Sequence, residues 1–124
     1  MISTGLVGEK GYLSWDQLQE MVQSPLVRLY NHTTNHIDVG NAPQDVSDKE
    51  IKDAQATLSE KTGFNYPIFT YPYGSTSEIA KDVLKKQGFA GAFTTKAGFT
   101  QCRSYILELH RDHVGNLPLS SYGL

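Results

Sequence analysis

His32 and His36 are the residues of this chain whose type and spacing bear most directly on chemistry. In Asn31-His32-Thr33-Thr34-Asn35-His36, two imidazoles four positions apart can converge on one divalent ion, leaving coordination positions for a carboxylate and water. The same spacing also fits a histidine at a strand end beside a solvated loop histidine, and spacing alone leaves both readings open. The Thr33 hydroxyl can bond the loop backbone or orient an imidazole from behind. In Tyr71-Pro72-Tyr73-Gly74, a fixed proline φ and a permissive glycine make an abrupt turn, and a backbone N–H there can stabilise an oxyanion. A packed aromatic turn is the plainer reading of that string. His110 and His113, flanking Arg111 and Asp112, supply a further candidate acid or base, or else surface imidazoles on an alternating strand end.

The whole chain limits what those residues can serve. With 124 residues, 39% of them hydrophobic and 19% charged, residues 1–124 have the makings of one ordinary domain. The net charge of -2 and the lack of any Lys/Arg block give no electrostatic footprint for nucleic acid or an anionic membrane surface. No apolar run approaches the roughly 20 residues of a membrane span, and the first residues lack the pattern of a secretion signal. A lone cysteine, Cys102, can form neither an internal disulfide nor a thiolate metal cluster; a small buried hydrophobe is expected there, with a reactive thiol as the alternative.

The elements that must position the polar groups alternate along the chain. Ser14 to Gln17 forms a capping-box pattern that predicts a helix through about Gln23, and Leu26–Tyr30 reads as a strand delivering His32 and His36 into a loop. Ser47 to Glu50 repeats the capping pattern, opening a second helix with Ile51, Ala54, Leu58 and the Lys61 stem at helical spacing and Gly63 at its end. Pro67–Tyr71 reads as the next strand. Ser75 or Ser77 caps a third helix with a stripe of Ile79, Val83 and Leu84, ending near Gly88. Phe89–Thr94 and Tyr105–Leu109 read as strands, separated by a loop over Ala97–Ser104, and the tail from Gly115 has little pattern. This order predicts an α/β fold with a parallel sheet, in which both polar clusters fall at the carboxyl ends of strands, where such sheets bind ligands.

Taken in order, these segments resemble the polysaccharide deacetylases of carbohydrate esterase family four, particularly the branch related to poly-N-acetylglucosamine deacetylases. Gly11-Tyr12-Leu13-Ser14-Trp15-Asp16-Gln17-Leu18 is similar to the start of a family helix, and His32 to His36 to the His-Ser/Thr-x-x-His metal motif. Phe69-Thr70-Tyr71-Pro72-Tyr73-Gly74 is similar to the Phe-Ala-Tyr-Pro-Tyr-Gly string of that branch, followed by Gly88-Phe89-Ala90-Gly91-Ala92-Phe93-Thr94-Thr95 as the next strand. The resemblance implies a distorted (β/α) barrel, metal-dependent hydrolysis of N-acetyl groups from an amino-sugar polysaccharide, and an extracellular or cell-surface setting. It implies that His32 and His36 bind zinc, or cobalt, manganese or nickel in its place, with the Tyr73 N–H in the oxyanion hole and His110 as the candidate acid. Tyr71 and Pro72 become candidate substrate contacts, and Thr33 a support for the metal ligands.

The chain also departs from the family pattern. The Thr-Phe-Asp-Asp string that holds the base and third ligand has no counterpart, so the expectation is a partial barrel lacking its N-terminal strands. Thr70 stands where many members have arginine, and Leu109 to Val114 looks more like a Leu-Pro-Arg-x-x-Val ending than the Leu-x-His acid motif. Exposed barrel edges would call for cover, for which a homo-oligomer is one candidate. Two competing readings remain: a non-catalytic carbohydrate-binding or interaction module with Trp15, Tyr71 and Tyr73 as stacking surface, and a flavodoxin-like domain, which would lead one to seek a glycine-rich phosphate loop that is absent here.

Overall fold

Three helices and a row of short parallel strand segments follow one another in the chain, as seen in a computed structural model that describes residues 1–112 and 115–122. Helix α1 is Trp15–Val22, and Ser14 caps it: the Ser14 hydroxyl accepts from the Gln17 N–H while the Gln17 side chain accepts from the Ser14 N–H. This reciprocal pair is the capping box read from sequence. Helix α2, Gln44–Thr62, ends on Gly63 at φ 75°, the left-handed position that glycine enters without a Cβ clash. Helix α3, Glu78–Lys86, takes its cap from the Ser77 hydroxyl, which accepts from the Ala80 N–H.

Strands β1 (Ile68–Thr70) and β2 (Gly91–Phe93) pair in parallel, with Phe69 opposite Ala92. Single parallel bridges extend the row on both sides: Ile2 with Asn31, Asn31 with Phe69, and Phe93 with Leu109. The row therefore runs in chain order, each crossover passing through a helix or a long loop, as parallel pairing requires. Val39, Ile51, Phe69, Val83, Leu84 and Ala92 are fully buried between the row and helices α2 and α3, while Leu18, Val22, Leu29 and Leu58 form a second apolar cluster under α1. No helix among the described residues is long and apolar enough to cross a membrane.

Several boundaries differ from the expectation, each for a local reason. The strand expected over Leu26–Tyr30 shrinks to the bridge at Asn31, because a turn at Pro25 leaves Leu26 91% exposed. Tyr105–Leu109 is not a strand: Arg103–Tyr105 forms a 3-10 turn, and only Leu109 joins the sheet. Helix α2 begins a turn before Ser47, directly after Pro43, and the Ser47 hydroxyl is buried against the Val39 carbonyl instead of capping. The stripe of α3 is Ala80, Val83 and Leu84; Ile79, one position off that face, is 49% exposed. Lys61 is exposed rather than packed. Cys102 is also exposed, beside the Ser104 hydroxyl at 3.1 Å, whose hydrogen bond holds the thiol below its usual pKa.

Glu108, beside Leu109 of the sheet row, is tied to α3. Its carboxylate accepts from Thr76 Oγ1 at 3.1 Å and lies 3.0 Å from Lys81 Nζ and 3.5 Å from Lys96 Nζ. The bond from Lys81, aided by Thr76 and by the charges of Lys81 and Lys96, lowers its pKa below the ordinary 4.5. The unfolded chain thus binds this proton more readily, so the tie is fully present above pH 4.5 and is lost as pH falls through the lowered folded value. Glu108→Gln is expected to lower the unfolding free energy by about 1 kcal/mol at neutral pH, with parent and variant converging in acid. Denaturant titrations across pH check this; a difference that does not shrink in acid contradicts it.

Candidate functional site

The carboxyl ends of two neighbouring strand segments meet at His32. Its N–H donates to the Ile2 carbonyl at 3.1 Å, its own carbonyl accepts from Ser3 Oγ at 2.8 Å, and its ring Nδ1 lies 2.6 Å from the Thr70 carbonyl oxygen. A carbonyl can only accept, so Nδ1 carries the proton and Nε2 presents a lone pair. Burial, followed by the nearby His36, the chain's first amine and Arg111, lowers the His32 pKa below 6.5, although the bond to Thr70 works the other way. The ring is therefore held as the neutral imidazole, the form that ligates metals.

His36 is brought to His32 by backbone that bends in an unusual way. Thr33 (φ 66°) and His36 (φ 56°) both occupy the left-handed region, which non-glycine residues enter at a cost of order 1 kcal/mol or more each. The two rings end with centroids 4.7 Å apart at 74°. Tyr73, also left-handed at φ 58°, sets its ring edge-on to His36 at 4.8 Å. Gly74 makes that turn feasible, since at φ 71° a Cβ there would meet Thr95 Oγ1 at 2.1 Å. Tyr73 is 68% exposed, and its N–H has no acceptor among the described residues.

Two residues that the sequence motif does not mark hold this loop. Asn31 is fully buried; its side-chain amide donates to the Ile51 carbonyl and Gln55 Oε1 at 2.9 and 3.0 Å, and its oxygen accepts from the Thr33 N–H at 2.9 Å. Glu50 of α2 accepts from the N–H groups of Thr34 and Asn35 and from Asn35 Nδ2 at 3.0, 2.8 and 2.6 Å. Beside the histidine pair lies a cleft of about 430 Å³ walled mainly by Ile2, Leu6, Val7, Tyr12, Leu13 and Leu18.

Other expected site residues fall elsewhere. Tyr71 is fully buried and its hydroxyl donates to the Leu107 carbonyl at 2.9 Å, while burial raises its phenol pKa. Pro72 is likewise buried. Both side chains face the core, because the pleat of β1 continues through Tyr71 and only Tyr73 turns outward. Thr33 does not orient an imidazole: its side chain is buried, and Oγ1 has no partner among the described residues. His110 stacks on Tyr105 at 5.5 Å and packs on Gly98, away from the pair. Its neighbour Arg111 takes the other direction, reaching Met1 Sδ at 3.0 Å and acting on His32 through its charge. His113 lies outside the described residues.

As donors, two imidazoles with one tautomer fixed by a backbone carbonyl fit two positions on a zinc-like ion. Among the described residues, no group of three or more His, Cys, Asp or Glu side chains is placed to hold one. A third ligand would thus come from outside this cluster.

The parallel α/β row matches solved structures of polysaccharide deacetylases. The chain belongs to that family, whose profile matches residues 2–92. It is 26% identical to the poly-beta-1,6-N-acetyl-D-glucosamine N-deacetylase of Escherichia coli (strain K12) over an alignment of 140 residues covering 91% of this chain and 21% of that protein. Among solved structures it is similar to Streptococcus pyogenes deacetylase PplD, determined in complex with acetate (27% identity, TM-score 0.85, 90% of this chain and 50% of that one). IcaB from Ammonifex degensii is similar too (26% identity, TM-score 0.84, 99% and 57%). The chain thus spans about a fifth of the E. coli relative and roughly half of the two solved chains.

The tethered His32 ring makes a spectroscopic expectation. Nitrogen-15 NMR of the metal-free chain should show His32 as the Nδ1–H tautomer with a titration midpoint below 6.5. An Nε2–H tautomer would contradict the Thr70 bond.

Proposed function

We propose that this chain supplies the two-histidine part of a metal-dependent site that hydrolyses N-acetyl groups of an amino-sugar polysaccharide, such as a cell-surface or extracellular poly-N-acetylglucosamine. The observation that carries this reading is the convergence of the neutral His32 ring, His36 and the Tyr73 turn at one strand-end cluster. A divalent ion, zinc or cobalt, manganese or nickel, would polarise the acetyl carbonyl and yield a nucleophilic water at neutral pH.

The chain's own residues then have separate tasks. Thr70 fixes the His32 tautomer, so that Nε2 faces outward as a lone pair. The free Tyr73 N–H is available to the oxygen on which charge develops as the acetyl carbon becomes tetrahedral. The apolar cleft wall keeps bulk water from one side of the pair, and the exposed Tyr73 ring offers a face on which a sugar ring can stack. A carboxylate to take the water's proton and an acid to protonate the leaving amine would complete such a site.

The exposed Tyr73 ring also favours a second reading, a module that binds glycan without turnover. Zinc calorimetry on the metal-free chain, beside His32→Ala and His36→Ala, tests the first. Binding is expected in the parent and a loss of about tenfold or more in each variant. Equal binding in all three, or none in the parent, removes the metal reading. NMR shifts of Tyr73 on adding an N-acetylglucosamine oligomer separate the alternatives, since metal-independent shifts would favour the module.

A further inference from the structure

The two histidines are held in different ways. His32 is fixed by three hydrogen bonds to neighbouring segments. Among the described residues, the His36 ring makes only edge contacts with His32 and Tyr73, so its position rests on the backbone that carries it. That backbone must stay left-handed at both Thr33 and His36. The two residues between them, Thr34 and Asn35, turn their N–H groups onto one carboxylate oxygen, Glu50 Oε2, at 3.0 and 2.8 Å. The other oxygen accepts from Asn35 Nδ2 at 2.6 Å, and the Glu50 carbonyl accepts from Thr34 Oγ1 at 3.2 Å.

We infer that Glu50 is the positioning residue for the metal pair: it holds His36 at the distance from His32 at which both rings can face one ion. The inference rests on the metal reading proposed above for its purpose, though not for its geometry. Glu50 is suited to the task because helix α2 is anchored on both sides of it, by buried Ser47 and by buried Ile51, whose carbonyl accepts from Asn31. The helix thereby presents a fixed carboxylate to a loop whose own conformation is unfavourable. Charge-assisted bonds of this kind are roughly twice as strong as neutral ones.

Four chains test this: the parent, Glu50→Ala, Glu50→Gln, and Asn35→Ala, which removes one of the bonds from the loop side without touching the helix. Lys85→Ala, which loses an exposed pair with Asp82 on helix α3, serves as the control. In the metal-free state, Glu50→Ala is expected to lose the NMR contact between the His32 and His36 rings and to exchange the Thr34 and Asn35 amide protons faster. Its zinc affinity should fall by about 10- to 100-fold. Asn35→Ala should lie between parent and Glu50→Ala. Glu50→Gln keeps an acceptor oxygen for the two N–H groups and should retain the ring contact and most of the affinity. Glu50→Ala with an unchanged ring contact and affinity overturns the inference, as does Glu50→Gln failing as fully as Glu50→Ala. If the parent binds no zinc, the metal reading falls, while the ring contact and amide exchange still decide the role of Glu50.

Discussion

One hydrogen bond, from the His32 ring to the Thr70 carbonyl, joins the strand segment ending at Asn31 to β1, and most of the site follows from it. It sets the tautomer, turns Nε2 away from the sheet, and removes a ring rotation that a free histidine would keep. The two segments are brought side by side by the Thr70 N–H donating to the Asn31 carbonyl at 2.9 Å, so the imidazole bond adds a second tie across the same gap. Thr70 serves through its backbone, and its own side chain is buried. Any residue type able to hold this backbone position would present the same carbonyl.

The sheet fixes one half of the site and the helices fix the other. Asn31 reaches α2 through Ile51 and Gln55, and Glu50, the residue just before Ile51, meets the loop. Three non-glycine residues with positive φ, Thr33, His36 and Tyr73, gather within this small region. Such backbone persists where the surroundings over-determine it, and here those surroundings are the buried Asn31, the Glu50 carboxylate and the close approach of Gly74 to Thr95. The strain is thus concentrated where two rings from one loop must face the same way.

Local signals were legible in the sequence and long-range ones were not. The Ser14–Gln17 box and the Gly63 stop are settled within a few residues and stand where the pattern put them, and of the two serines read as caps for α3 it is Ser77 that caps. The parallel α/β order was legible for a similar reason, since strand and helix periods differ. Tyr105–Leu109 misled because its apolar side chains suit a strand, whereas its backbone closes a 3-10 turn before reaching β2. Ser47 misled because a buried hydroxyl and a helix cap look alike in sequence, and Pro43 had already started the helix. At the site, His32, His36 and Tyr73 are brought together, but Thr70, Asn31 and Glu50 act through groups distant in sequence and, for Thr70, through a carbonyl that every residue has. Tyr71 and Pro72 carried the same aromatic and turn signal as Tyr73, and only the direction of the pleat separates the buried from the exposed.

The central claim is that this loop presents two imidazoles to one divalent ion. X-ray absorption at the zinc edge of the zinc-loaded chain measures this most directly. The account predicts the outer-ring scattering of two imidazoles whose nitrogens lie at about 2.0–2.1 Å from zinc, with the remaining positions filled by oxygen donors such as water. Scattering from a single imidazole, or a shell of oxygen donors alone, would contradict it.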